Sequence, residues 1–128
     1  MISRLLNSLV SKFRKPLLIG SAQANQLVLE QLQEQGDDGT QERHVRHTAF
    51  PLRGAEGAVG RDRIVDLFAG IGLDVSETQY RNGIMGEHDA AVAGEDFNEL
   101  TDGLRNELDR MGWEYDGWEC AVLKEKGN

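Results

Sequence analysis

The clearest hydrophobic pattern in the chain is a helical stripe over about residues 95–111. Its apolar positions recur at steps of three, four, four and three: Phe97, Leu100, Leu104, Leu108 and Met111. This spacing matches the period of an α-helix, so it predicts an amphipathic helix with one buried face. Gly103 lies inside the stripe and weakens the helix by about 1 kcal/mol relative to alanine.

Two more amphipathic helices are predicted near the start of the chain. The first covers residues 2–13 and ends before Pro16; its apolar positions are Ile2, Leu5, Leu6, Leu9, Val10 and Phe13. The second begins near Ser21 or Asn25, because either side chain can cap the first turn. It carries Leu27, Val28 and Leu32, and it ends at Gly36, a residue type that favours the backbone just past a helix.

The middle of the chain predicts strands around a helix. Residues 43–50 alternate, with Val45, His47 and Ala49 on one face and His44, Arg46, Thr48 and Phe50 on the other. A helix follows over about 59–70, with Ile64, Val65, Leu67, Phe68 and Ile71 as its apolar face. Leu73–Arg81 and Ile84–Ala93 are strands joined by Asn82-Gly83, a dipeptide that favours a type I′ turn. The last strand covers residues 113–123.

From residue 43 onward the predicted order is β-α-β-β-α-β. This order is typical of an α+β, ferredoxin-like domain, a four-stranded antiparallel sheet with two helices on one face. N-terminal helical segments precede it. We expect residues 1–20 to form a basic amphipathic segment and residues 21–128 to form a single domain.

Alternation fails within the final strand, between Tyr115 and Trp118. An extra residue at Asp116-Gly117, a β-bulge, restores one continuous apolar face. That face would then hold Trp113, Tyr115, Trp118, Cys120 and Val122. With unbroken pairing, Trp113 and Tyr115 would instead lie opposite the core, as a binding surface.

Charge separates the first residues from the rest of the chain. Residues 1–20 contain four basic residues and no acid, which leaves −12 on the remainder because the whole chain carries −8. The basic residues are Arg4, Lys12, Arg14 and Lys15. An acidic domain repels phosphate backbones, so we expect no direct nucleic-acid partner.

The basic segment has two interpretations that stay open. A basic amphipathic helix can make weak contact with an anionic membrane, or it can pack on its own domain or on a partner. Ala22-Gln-Ala24 resembles a signal-peptide cleavage site, but Lys12, Arg14 and Lys15 leave only residues 16–20 as an apolar stretch before it, too short for the apolar region of a signal peptide. No apolar run approaches the length of a membrane span, and the single cysteine, Cys120, fits a reducing compartment, so the chain is predicted to be cytoplasmic.

The sequence offers little that predicts catalysis, a metal or a cofactor. His44 and His47 point to opposite faces of their strand, and His88 lies in no motif. The acids of the 95–111 helix, including Asp96, Glu99 and Asp102, allow two interpretations. They form a solvated face that complements the helix dipole, or an acidic docking surface for an arginine-rich partner.

The segment Glu114-Tyr115-Asp116-Gly117-Trp118-Glu119 directly follows a long helix and carries a family resemblance. With the helix and loop over residues 29–38 and the strand holding Val45 and His47, it is similar to the regulator of ribonuclease activity B family, protein inhibitors of ribonuclease E. The resemblance covers about residues 24–123.

The resemblance implies a non-enzymatic regulator that binds an endoribonuclease of the ribonuclease E type and alters its activity. The candidate protein-binding residues are Tyr115, Asp116, Trp118, Asp96, Glu99 and Asp102. The alternative is a protein-binding module of the same fold with an unrelated partner, associated with a membrane through residues 1–15. An enzyme or an RNA-binding domain forms a third class.

Overall fold

The computed structural model describes residues 18–52, 60–78 and 80–123. The elements in chain order are α1 (Ala22–Glu34), β1 (Arg43–Pro51), α2 (Arg61–Gly70), β2 (Asp74–Glu77), a 3-10 turn (Tyr80–Asn82), β3 (Ile84–Ala90), α3 (Glu95–Arg110) and β4 (Trp113–Cys120). The predicted helix over residues 2–13 lies outside the described residues.

The strands form one open antiparallel sheet in the order β2-β3-β1-β4. The protein is therefore α+β, with a four-stranded antiparallel sheet and three described helices, an architecture compatible with a ferredoxin-like fold. His47 pairs with Gly86 across β1 and β3. Phe68 of α2 lies against Gly86 and Phe97 of α3 lies near His47, so both helices cover the same face of the sheet.

The helix predictions are confirmed in the described chain. Ser21 caps α1, because its hydroxyl accepts a hydrogen bond from the amide of Ala24 at 3.2 Å. Gly36 follows the helix with a φ of 85°. The predicted stripe of α3 faces the core: Phe97, Leu104 and Leu108 are buried, and Leu100 and Met111 are partly buried against the same cluster.

The predicted bulge in β4 is also confirmed. Thr48 pairs with Gly117 and Ala49 pairs with Tyr115, which leaves Asp116 as the extra residue. Gly117 has a φ of 99°, a backbone conformation that glycine adopts without strain. The bulge puts four large side chains on the helix-covered face, each at most 3% exposed: Trp113, Tyr115, Trp118 and Cys120.

The predicted type I′ turn at Asn82-Gly83 is wrong, although β2 and β3 do form a hairpin. The positive φ angles fall at Arg81 and Asn82, in a 3-10 turn, and both strands are shorter than predicted. Gly83 is required for a different reason: a Cβ at this position would lie 2.6 Å from the ring of Phe50. Close packing from a distant strand selects this glycine, a constraint that no local pattern carries.

A buried ion pair joins three parts of the chain. Arg43, at the start of β1, donates through Nη2 to Asp37 in the loop after α1 at 2.9 Å, and through Nη1 to the carbonyl of Ala121 at 3.1 Å. The amide of Leu123 donates to the other oxygen of Asp37. Burial acts to raise the pKa of Asp37, but these hydrogen bonds and that from the amide of Gly39 outweigh it and lower the pKa to about 2.

Among the described residues, no helix combines the length and the apolar character needed to cross a membrane.

Candidate functional site

Two of the six candidate contact residues are buried, which corrects the expectation that they meet a partner. Tyr115 is 3% exposed and Trp118 is 1% exposed, because the bulge turns both toward the helices. Asp116, the extra residue of the bulge, is half-buried. The two aromatic rings therefore belong to the core, whereas Asp116 stays partly accessible.

Trp118 belongs to a buried polar network between α1, α3 and β4. Its indole N–H donates to the side-chain oxygen of Asn25 at 2.9 Å. The Asn25 amide donates in turn to Asn98 at 2.8 Å and to Thr101 at 2.9 Å. The hydroxyl of Thr101 donates to the carbonyl of Gly20. The network fixes the start of α1 against α3.

The other three candidates, Asp96, Glu99 and Asp102, lie on α3. Asp96 and Glu99 are exposed, as is the neighbouring Glu95, and Asp102 is half-buried. Asp102 pairs with Arg105 one turn later, whereas the other three carboxylates make no ion pair within the described residues. We call Glu95, Asp96, Glu99 and Asp102 the acidic α3 surface.

Three grooves of the described structure border this surface: one beside Asp96, toward β3, and one on either side of Glu99. The two beside Glu99 are a polar and an apolar groove. The polar groove, about 480 Å³, separates α3 from the start of α1; it is lined by Leu18, Ser21, Ala22, Gln23, Glu95, Asn98, Glu99, Asp102 and Arg105. The apolar groove, about 220 Å³, separates α3 from α2; it is lined by Leu67, Ile71, Glu99, Leu100, Gly103, Leu104 and Glu107. Glu99 lines both, so the two grooves meet on the outer side of α3.

The three histidines are arranged as the strand pattern predicts, with one addition. His44 is exposed on the open face and pairs with Glu87 at 2.9 Å, whereas His47 is buried on the core face. His47 Nδ1 lies 2.8 Å from the hydroxyl of Tyr115, and its Nε2 lies 2.9 Å from Nε2 of half-buried His88. The contact with His88 depends on the pairing of β1 with β3, which the sequence pattern alone does not supply.

Burial is the main cause of the pKa shifts in the hydrogen-bonded group of Tyr115, His47 and His88. Loss of solvent, followed by repulsion from His88, lowers the pKa of His47 to about 3. Burial likewise lowers the pKa of His88 and raises that of Tyr115. Within the described part of the chain, no group of three histidine, cysteine or acidic side chains is placed to hold a metal ion.

The open face of the sheet is crossed by ion pairs. Arg46 contacts Glu87 at 3.2 Å on one neighbouring strand and Glu119 at 3.6 Å on the other. Arg81 lies over the ring of Phe50 at 4.8 Å from its centroid, and Phe50 is 5% exposed. Among the described side chains of this face, no phenylalanine, tyrosine or tryptophan ring is presented to solvent.

Comparison with known proteins finds no protein-family model and no curated protein that matches this sequence. The similarity to the regulator of ribonuclease activity B family therefore stays a prediction from the sequence.

Proposed function

We propose that this protein is a non-enzymatic regulator that binds an endoribonuclease of the ribonuclease E type through the acidic α3 surface. Regulation follows from binding, and no bond is made or broken by this chain. We also propose that β1–β4, α2 and α3 form the ferredoxin-like arrangement, to which α1 is added. The order β-α-β-β-α-β supports that assignment.

The exposed carboxylates of α3 are the observation that carries the binding proposal. Glu95, Asp96 and Glu99 project from one helix, each lines a groove, and they make no ion pair within the described residues. Such a surface attracts an arginine- or lysine-rich segment, steers its approach and loses strength as salt screens the charges. The grooves supply places for the apolar parts of the same segment.

The aromatic motif supports the choice of partner, not the choice of surface. The segment from Glu114 to Glu119 carries the family resemblance, yet its tryptophan and tyrosine are buried. These residues determine the conformation of the bulged strand, so the motif is informative about the fold and the family resemblance but not about the contact surface. Contact with the endoribonuclease is therefore assigned to α3.

RNA binding by base stacking is disfavoured by the open face of the sheet. Stacking domains present aromatic rings on this face. Here the described strands present Arg46, Glu87 and Glu119 in ion pairs instead. With −12 on the chain after residue 20, the electrostatic contribution to RNA binding is also unfavourable.

The proposal is tested by affinity capture with the tagged full chain. Lysate of the source cells is applied at about 50 mM and about 500 mM salt, between which surface charges become largely screened. We expect mass spectrometry to find the endoribonuclease at low salt and much less of it at high salt. The double variant Asp96→Lys/Glu99→Lys should capture little at either salt.

A matched variant controls for net charge. Glu30→Lys/Glu34→Lys changes the charge by the same amount at exposed positions of α1 and should capture the endoribonuclease normally. Absence of the endoribonuclease at low salt would refute the partner. Capture of a different protein that is lost only in the α3 variant would support the alternative, a binding module with an unrelated partner.

A further inference from the structure

The apolar groove between α2 and α3 has the chemistry of a site for an amphipathic helix. Leu67, Ile71, Leu100 and Leu104 line it, and Ile71 is 41% exposed although it is a large apolar residue. Glu99 and Glu107 also line it, and the acidic α3 surface continues from Glu99. An occupant that fits would have an apolar face flanked by basic residues.

The chain itself contains a segment of that composition. Residues 2–13 carry six apolar residues at helical spacing, and four basic residues lie within residues 4–15. These residues are outside the described structure. The described chain begins at Leu18, which is 62% exposed and lines the polar groove on the other side of Glu99.

We propose that residues 1–15 bind intramolecularly across the outer side of α3, with their apolar residues in the apolar groove and Lys12, Arg14 and Lys15 on the acidic α3 surface. This inference does not depend on the identity of any partner. It rests on the composition of the groove, the opposite charges and the position at which the chain leaves the described structure.

The dimensions allow this placement. Twelve helical residues extend about 18 Å at 1.5 Å per residue, and the 16 residues of α3 extend about 24 Å. Residues 14–17 connect the segment to Leu18 at the edge of the polar groove. A short connection gives the tethered segment an effective concentration in the millimolar range, so even a weak intrinsic affinity keeps the groove occupied.

Occupation of this surface by the chain's own segment would make it an internal competitor. Any basic partner that binds at Asp96 or Glu99 would first have to displace it. The proposal therefore assigns an autoinhibitory role to residues 1–15. Binding of the same apolar face to a membrane would compete with its binding to the groove.

The test places a spin label on the full chain as Ser11→Cys and measures paramagnetic broadening of backbone amide signals by NMR. We expect stronger broadening at Ile71 and Gly103, which line the apolar groove, than at His44 on the opposite face of the sheet. Glu99→Lys should lower the docking constant about two- to fivefold, as loss of an exposed ion pair does. Glu34→Lys is the matched control and should leave the broadening unchanged.

Two further measurements decide between occupants. The wild-type chain, treated with the same spin-label reagent, is the control for labelling of the native cysteine, Cys120, which is buried. Broadening that persists unchanged on tenfold dilution supports docking within one molecule, whereas broadening lost on dilution assigns the groove to a second copy and overturns the proposal. Equal broadening at Gly103 and His44, or none at either, would also overturn it. The absence of endoribonuclease from all these samples keeps the result separate from the proposed function.

Discussion

At the scale of single residues, the polar groups inside this protein are more informative than the apolar ones. Asn25 accepts from Trp118 and donates to Asn98 and Thr101, so it joins three elements at distances in sequence of 73 residues or more. His47 connects Tyr115 to His88 in the same way. Asn25 and His47 are thus satisfied by partners that are remote in sequence, and these hydrogen bonds specify how the elements meet.

The buried histidine predicts how stability depends on pH. In the unfolded chain His47 gains a proton near its ordinary pKa of 6.5, whereas in the folded protein its pKa is lowered to about 3. Above about pH 6.5 His47 is neutral in both states, so its burial does not lower the stability of the folded protein. As the pH falls from 6.5 toward 3, the unfolded chain binds a proton that the folded protein does not, and the free energy of unfolding decreases. Urea unfolding should show the free energy of unfolding falling by up to about 1.4 kcal/mol per pH unit for this one proton.

His44 provides the control for this experiment. A hydrogen bond to Glu87 raises its pKa, so its contribution has the opposite sign and increases as the pH falls. His44→Gln should leave the decline in place or make it steeper. A free energy of unfolding that stays constant between pH 7 and pH 5 in the His44→Gln variant would contradict the assigned burial of His47 and the lowered pKa of His88.

At the scale of elements, two glycines differ in whether the backbone requires glycine. Gly117 forms the bulge with a φ of 99°, and a Cβ there would lie 3.0 Å from Ile19. Gly103 lies in the middle of α3, and a Cβ there would meet no atom of the described residues within 4 Å. The same chemical change should therefore have opposite effects at the two positions.

Gly117→Ala should lower the free energy of unfolding by about 1–3 kcal/mol, the range for a strained backbone position. Gly103→Ala should raise it by about 1 kcal/mol, the helix preference of alanine over glycine. Thermal and urea unfolding of the two variants beside the wild type would measure both. Equal effects, in either direction, would contradict the difference in backbone conformation.

Features that repeat along the chain could be predicted, and features that depend on distant contacts could not. The stripe of α3 and the broken alternation at Asp116 are local patterns, and they are sufficient to predict the helix and the β-bulge. The Asn82-Gly83 pattern predicts the turn one residue too late, since the positive φ angles fall at Arg81 and Asn82. The packing of Phe50 against Gly83 comes from another strand, and no local pattern indicates it. The pairing of Asp37 with Arg43 was missed, since two charges in a polar stretch do not indicate that both will be buried.

The candidate site also contains residues that local patterns predict and residues whose placement depends on the fold. The exposed acids of α3 were predictable because surface charge on an amphipathic helix follows from its period. Tyr115 and Trp118 were assigned as contacts from a motif, and a motif does not say which way a side chain points. The broken alternation at Asp116-Gly117 predicts that both rings share one apolar face, and the register of β1 with β4 confirms that this face lies in the core.

At the scale of the whole molecule, opposite charges are separated along the chain: +4 on residues 1–20 and −12 on the remainder. If residues 1–15 dock on α3 and a basic partner uses the same surface, the two compete for it. The apparent affinity for the partner is then reduced by the fraction of molecules whose surface is occupied.

Neutralising the segment should therefore increase partner binding. Lys12→Gln/Arg14→Gln/Lys15→Gln removes three positive charges, and we expect the dissociation constant for the proposed endoribonuclease partner to fall several-fold. Calorimetric titration of the wild type and the variant at low salt would measure it. Unchanged affinity would argue against competition, and weaker affinity would indicate that these basic residues contact the partner directly.

The position of β4 gives its bulge one more consequence. β4 is the outermost strand on its side of the sheet, so its outer backbone groups face no further strand of the described sheet. A long regular edge of this kind is a template on which other chains can add strands and grow into aggregates. The extra residue Asp116 interrupts the repeat of amide and carbonyl groups halfway along this edge. The irregularity that places Trp113, Tyr115 and Trp118 on one face thus also makes this edge a poorer template for an added strand.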